Sequence, residues 1–183
     1  MRAAAPVSAG VSPRQRQFDA LARAHSTDLY RFAYWLCGQQ ALAQDLVQET
    51  LLRAWKSLDS LKDAAAAKPW LLTILRREHA RLYERKRLDV VELDAGHEVA
   101  EDGAWASPER HGDAAELREA MSKLPHKYRE PLLLQVLGGM SCEEIAAELG
   151  QQPGAVMTQL FRARQKLKSM LQGDRPEVQL GLP

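Results

Sequence analysis

Apolar residues recur along this chain at intervals of three and four, and no segment alternates with a period of two for long. The pattern predicts an all-α fold with no sheet. Between Arg14 and Cys37, the positions Phe18, Leu21, Leu29, Phe32, Ala33 and Leu36 fit one long helix or two broken near His25–Ser26, and Gly38 is placed to end it. From Ala41 to Leu58, the residues Leu42, Leu46, Val47, Thr50, Leu51, Ala54 and Trp55 hold helical spacing, a strong amphipathic signal. A short, partly helical connector over Asp59–Ala67 leads to Pro69. That proline opens a third helix running through Arg87, with Trp70, Leu71, Ile74 and Leu75 as its apolar stripe. Ser107-Pro108-Glu109 reads as a helix start. Further helices follow from about Asp113 to Lys123 and from Lys127 to Leu137, with Pro125 between them.

Residues 139–171 carry the most specific local pattern. Ser141 can cap a helix, and Glu144 can reach back to it, which makes an S-x-x-E capping box. Ile145 and Leu149 share one face, Gly150 suits a left-handed helix stop, and Pro153 suits the first turn of a new helix. Val156 and Leu160 then give that second helix an apolar stripe, while Arg162, Arg164, Lys166 and Lys168 lie on and near its polar side. A short helix, a tight turn and a longer basic helix form the geometry that places one helix in a DNA major groove. A capped pair inside an ordinary soluble bundle would show part of the same pattern.

Composition narrows the picture. The 183 residues allow one or two domains with a real core, and 45% apolar with 27% charged residues describe a soluble globular protein. The formal net charge of +1 conceals a strong asymmetry. Six of the twelve residues from Arg76 to Arg87 are Arg or Lys, whereas Leu88–Asp113 holds eight acidic residues and a single basic one, Arg110. A basic surface for nucleic acid followed by an acidic, flexible linker is the natural reading. Cys37 and Cys142, without CxxC spacing, fit small apolar packing residues in a reducing cytoplasm and give no disulfide framework or zinc site. MRAAAPVSAGVSP lacks the apolar core of a signal peptide, no segment approaches a membrane span, and both chain ends read as disordered tails. The expected organisation is a tail over residues 1–13, a helical domain over 14–87, a linker over 88–112, a helix-turn-helix domain over 113–171 and a tail over 172–183.

Three blocks in order, DLVQETLLRAW (Asp45–Trp55), KPWLLTILRREHAR (Lys68–Arg81) and LPHKYREPLLLQVLGGMSCEEIAAELG (Leu124–Gly150), make the chain resemble a bacterial RNA polymerase sigma factor. The resemblance is to the extracytoplasmic-function (ECF) group of the sigma-70 family, which has two domains, sigma-2 and sigma-4, tied by a linker. It implies a three- or four-helix sigma-2-like bundle that binds core polymerase and the −10 element, and a sigma-4-like domain that binds the −35 element. Implied partners are promoter DNA, the clamp helices of the largest polymerase subunit, the flap of the second subunit, and a cognate anti-sigma factor that can hold the protein at the inner membrane. No cofactor and no metal are implied, and the protein itself is not expected to insert into a membrane.

The resemblance also assigns residues. Asp45, Gln48, Glu49, Leu52, Arg53 and Trp55 match the polymerase-docking helix, although Trp55 is the better fit to a core position. Arg76, Arg77, Arg81 and Arg85 match the −10 reader, which must hold single-stranded bases and phosphates. Arg77, Arg81 and Arg85 form one stripe, and only Glu78 and Glu84 dilute the run, while Trp70 fits a core anchor better than a stacking platform. Gly154, Ala155, Met157, Thr158, Gln159, Phe161, Arg162 and Arg164 match the −35 reader. Departures are visible at three places. Arg77 replaces an Asn common in the family, Met157 and Gln159 stand where Lys or Arg is usual, and Cys142 stands where a Tyr often meets the backbone. Weak −35 phosphate binding and an unusual −35 sequence are therefore expected, with Gln159 able to bond an adenine edge and Met157 a thymine methyl. The acidic linker, through Asp89, Glu92 and Asp94, fits either a filler of the polymerase cleft or a solubilising spacer.

Two other classes compete. A stand-alone helix-turn-helix regulator would leave Asp45–Trp55 and the basic third helix unexplained. An enzyme acting on nucleic acid would need clustered carboxylates, a Walker loop, H-E-x-x-H or a nucleophile elbow, and the sequence contains none of them.

Overall fold

The computed structural model describes residues 12–93 and 113–173, and every regular element among them is a helix. The first domain holds α1 (Pro13–Cys37), α2 (Gln40–Lys56) and α3 (Ala67–Leu93), with 3-10 turns at Leu58–Ser60 and Ala64–Ala66 before α3. The second holds α4 (Asp113–Lys123), α5 (His126–Val136), α6 (Cys142–Leu149) and α7 (Pro153–Gly173). The tail over residues 1–11, the linker beyond Leu93 as far as residue 112, and the tail from residue 174 lie outside the described residues.

Local chemistry sets the helix ends. The Ser12 hydroxyl accepts the Gln15 N–H at 3.1 Å, and Pro13, which lacks an N–H, occupies the first helical position. Gly38 closes α1 in the left-handed region at φ 73°, its N–H donated to the Tyr34 carbonyl at 2.8 Å. Helix α1 runs unbroken through His25–Ser26, because the Ser26 hydroxyl donates back to the Ala22 carbonyl at 2.5 Å and is satisfied inside the helix. Helix α3 passes Arg87 and ends at Leu93, so the start of the expected linker is helical. Leu88-Asp89-Val90-Val91-Glu92-Leu93 contains neither Gly nor Pro, and nothing in it stops a helix already under way.

The first core is built by Leu29, Phe32, Ala33 and Leu36 of α1, Ala43, Leu46 and Ala54 of α2, and Leu71, Leu72 and Leu75 of α3, all buried. Thr50 is buried among them and returns its hydroxyl proton to the Leu46 carbonyl at 2.6 Å. Lys68 ties the start of α3 to α1 through Asp28 at 2.8 Å, and its ammonium holds the Asp28 carboxyl below the ordinary value. In the second domain Leu124, Leu134, Ile145, Val156, Leu160 and Ala163 form the centre. Cys37 is buried and Cys142 half-buried.

The two cores join into one cluster. Arg129 of α5, only 4% exposed, donates across the boundary to the Leu36 carbonyl at 3.3 Å and within its own domain to the Ser122 and Leu124 carbonyls at 2.8 Å each. Such a charge is tolerable in a core because backbone oxygens accept from both terminal nitrogens of its guanidinium. Gly138, after α5, sits where an added Cβ would lie 2.3 Å from the Leu134 carbonyl oxygen and 3.1 Å from Leu72 Cδ1 of α3. Only glycine lets the backbone come so close.

Candidate nucleic-acid and polymerase interfaces

Helix α2 divides its faces cleanly. Ala43, Leu46, Thr50 and Ala54 face the core, while Asp45, Gln48 and Leu52 point into solvent and Glu49 and Arg53 are half-buried at the edge. Leu52 is 57% exposed on a face otherwise made of polar groups. Trp55 is packed instead: its ring meets Phe18 edge-on at 5.2 Å and lies 5.1 Å beneath the Arg14 guanidinium. Arg14 is held there by Asp59 at 3.0 Å and the Trp55 carbonyl at 2.9 Å. Trp55 is thus a packing residue, as the sequence reading expected.

On α3 the basic residues part company. Arg77 and Arg81 keep 59% and 50% of their side chains exposed, whereas Arg76 keeps 17% and turns toward the second domain. There it meets Glu148 of α6 at 2.7 Å, the Glu148 carbonyl at 2.9 Å and Glu130 of α5 at 3.6 Å. Arg77 also approaches Glu148, at 3.4 Å. Arg76, which the resemblance places among the −10 residues but outside the Arg77–Arg81–Arg85 stripe, thus has its charge matched by carboxylates of the second domain. The side chain of Arg85 lies outside the described residues, and Trp70 is a half-buried part of the core wall.

Glu78 is the other carboxylate that sequence reading undervalued. It is 5% exposed, accepts from Arg81, and has Arg53 Nε 2.6 Å from the same Oε1. Arg53 in turn lies 3.2 Å from Glu49. Beside this chain of charges opens a groove of about 300 Å³ lined by Arg53, Lys56, Ser57, Ile74, Arg77, Glu78 and Arg81. It lies where α2 and α3 meet.

The helix-turn-helix forms as its sequence requires. The Ser141 N–H donates to Glu144 Oε2 at 2.7 Å and the Glu144 N–H to Ser141 Oγ at 3.2 Å, which closes the capping box. Gly150 ends α6 at φ 65°. On α7, Val156, Leu160 and Ala163 are buried, and Gly154, Ala155, Met157, Thr158, Phe161, Arg162 and Arg164 are exposed. Met157 and Phe161 are 61% and 59% exposed, an apolar pair one turn apart on a helix face that water would not favour. Gln159 is less exposed than the other residues matched to the −35 reader. It is half-buried, and its Oε1 is shielded without a hydrogen-bond partner. The Thr158 hydroxyl is engaged by the Gly154 carbonyl at 2.9 Å.

Two arginines of α7 are braced by α5 in a way no sequence spacing could announce. Arg164 donates to Gln135 Oε1. Arg162 hydrogen-bonds the Tyr128 hydroxyl and holds that phenol below its ordinary value, against the opposing effect of burial. Glu130 and Glu148 were equally hidden, since their partner Arg76 is remote in sequence. A cleft of about 240 Å³ runs along this domain boundary, and in it His79 and His126 stack 5.7 Å apart with rings 7° from parallel.

Residues 21–88 match the family model for sigma-70 region 2, and residues 114–167 match that for sigma-70 region 4. The ECF RNA polymerase sigma factor EcfG of Rhodopseudomonas palustris is 37% identical over 81% of this chain and 82% of its own. SigE of Mycolicibacterium smegmatis, also an ECF sigma factor, is 34% identical over 84% of this chain and 61% of its own. Among solved structures, the sigma factor RpoE of Bartonella quintana, crystallised with the anti-sigma factor NepR, superposes with a TM-score of 0.74. It is 30% identical, and the match covers 87% of this chain and 99% of that one.

Proposed function

The chain belongs to the ECF group of sigma-70 RNA polymerase sigma factors, and from that membership we propose how its surfaces divide the work of directing transcription initiation. The α2 face of Asp45, Gln48, Glu49, Leu52 and Arg53 docks on core polymerase, at the clamp helices of its largest subunit. The α3 stripe of Arg77 and Arg81, continued by Arg85, holds the melted −10 strand. The outer face of α7, chiefly Met157, Phe161 and Arg162, enters the −35 major groove while the second domain rests on the polymerase flap. Acting beside polymerase, the protein works in the cytoplasm, and among the described residues no helix is long and apolar enough to cross a membrane.

The observation that carries this reading is the exposed Leu52 at the centre of a charged, outward face of α2, opposite a fully packed core. A solvent-facing leucine ringed by Asp45, Gln48 and Glu49 suits a protein interface with an apolar centre and a polar rim. The closed packing of the two domains suits a form that is not engaged on a promoter, and a cognate anti-sigma factor fits such a form, as NepR is bound to RpoE. The test is reconstitution with core polymerase. Leu52→Asp is expected to lower polymerase affinity by about tenfold or more while the isolated chain keeps its melting temperature. Wild-type affinity in that variant would refute the assignment of α2. Arg81→Ala should leave polymerase binding intact and reduce promoter opening, and normal opening would refute the assignment of α3.

A further inference from the structure

A groove that receives a polyanion has no obvious use for a carboxylate, yet Glu78 lies in the wall of the basic groove between α2 and α3. Four cations, Arg53, Lys56, Arg77 and Arg81, line the groove with it. Glu78 is 5% exposed, and burying a carboxylate is costly unless partners repay it. Both partners touch one oxygen. Arg53 reaches Oε1 from α2 and Arg81 reaches it from one turn further along α3. Arg81 hydrogen-bonds this oxygen through Nη1, while Arg53 approaches it through Nε as an ion pair without hydrogen-bond geometry, so each guanidinium, with five N–H donors in a rigid fork, keeps its other donors for the groove. The Arg81 and Arg53 side chains remain 50% and 41% exposed, enough to present those donors to the groove. Without the anchor, two long side chains would have to be ordered by the incoming strand itself.

We propose that Glu78 is a positioning residue for single-strand capture: it fixes Arg53 and Arg81 so that their free N–H groups meet phosphates or base edges of the displaced strand. The proposal rests on the reading that this groove takes the melted −10 strand. It goes further by giving a negative residue a favourable part in binding a negative ligand. Arg53 also contacts Glu49 on the polymerase-docking face, so the anchored pair is continuous with that face.

The sign of one substitution separates positioning from simple charge damping. Glu78→Gln keeps the shape and adds one net positive charge to the groove. If Glu78 only damps charge, the variant binds single-stranded DNA more tightly. If it positions, the variant binds more weakly and discriminates less between bases, by about tenfold for one well-aimed charge-assisted contact. The assay is fluorescence anisotropy of a labelled non-template −10 oligonucleotide with holoenzyme assembled from core polymerase and the full chain. It is run on matched and mismatched sequences. Polymerase affinity and −35 duplex binding are followed in parallel, since a general loss of structure would move all of them together.

Weaker binding and a reduced matched-to-mismatched ratio, with the other two readings unchanged, are the expected result. Tighter or unchanged binding by Glu78→Gln overturns the proposal. Should that variant fold poorly, the double variant Arg53→Lys, Arg81→Lys keeps both charges but loses both forks. It should show the same loss, and wild-type affinity there overturns the proposal equally. Arg81→Ala supplies the remaining distinction. If it leaves strand affinity unchanged, the groove is not the strand site and the underlying reading fails. If it weakens the strand while Glu78→Gln does not, only the positioning role fails.

Discussion

Replacing Glu148 by glutamine should loosen the packing of the second domain on the first. Glu148 stands at the end of α6, where a negative charge opposes the helix dipole, and its compensation comes from Arg76 on the other domain. The two side chains keep 17% and 11% of their exposure, so the pair is largely desolvated. Breaking a buried pair costs about 3–5 kcal/mol when one charge is left without compensation. Arg76 is not left so, because Glu130 remains 3.6 Å away and the Glu148 backbone carbonyl is still an acceptor. About 1–2 kcal/mol is therefore the expected loss, which shifts the closed-to-open ratio by roughly 5- to 30-fold. Arg129 and the His79–His126 stack still hold the domains, so the variant populates the open form without being driven wholly into it. Small-angle X-ray scattering of the free chain should show a larger radius of gyration, and single-strand affinity of the free chain should rise as Arg76 and Arg77 are released. A double-mutant cycle with Arg76→Ala should give a coupling of the same size. A radius of gyration and strand affinity equal to the parent's would refute the claim that this ion pair holds the domains together.

Other substitutions probe neighbouring parts of the argument. Gly138→Ala places a methyl 3.1 Å from Leu72 Cδ1 and 2.3 Å from the Leu134 oxygen, and should lower stability by about 1–3 kcal/mol in urea unfolding; parental stability would mean the boundary is looser than described. Asp28, with its carboxyl held below 3.8 by Lys68, contributes stability that is present above that pH and fades as the pH falls through the lower folded value. Asp28→Asn should remove this acid-side loss yet cost less than about 1 kcal/mol near neutral pH, both side chains being about a third exposed, as paired unfolding curves at acid and neutral pH will show. Tyr128 should ionise below 10, followed by ultraviolet difference titration against Tyr128→Phe, and Arg162→Ala should raise its midpoint. An unmoved midpoint would remove Arg162 from the Tyr128 hydroxyl.

Much of the fold was legible because it is written locally. The capping box at Ser141 and Glu144, the stops at Gly38 and Gly150 and the opening at Pro153 each involve residues within a turn of one another, and each formed as read. The outward face of α2 was legible for the same reason, since helical periodicity alone separates Asp45, Gln48 and Leu52 from Leu46 and Ala54. The end of α3 was misplaced because charge composition was taken as a boundary. A helix stops at a terminator, and Leu88–Leu93 offers none. What stayed hidden is whatever joins residues remote in sequence. Arg76 read as one more basic residue of a strand-binding run, and only the packing of α5 and α6 shows Glu130 and Glu148 upon it. Gln159 was matched to the −35 reader by resemblance, and only the packing shows that its position at the edge of the buried stripe shields its amide oxygen.

The acidic residues so revealed give the basic surface two alternative ligands. Glu148 touches both Arg76 and Arg77, and Glu130 touches Arg76, so on the proposed assignment carboxylates of the second domain engage cations of α3 that phosphates of a −10 strand would take. Both cannot bind at once at full strength. Closure and strand capture are then linked reactions, and whatever stabilises one must weaken the other by the same free energy. Salt should divide them. Counterion release makes strand binding fall steeply with ionic strength, whereas a pair as desolvated as Arg76 and Glu148 is screened far less. Raising salt on the free chain should therefore abolish single-strand binding well before the radius of gyration grows. Opening of the domains at lower salt than strand release would place the latch on the solvated surface instead, and the competition between carboxylate and phosphate would lose its basis.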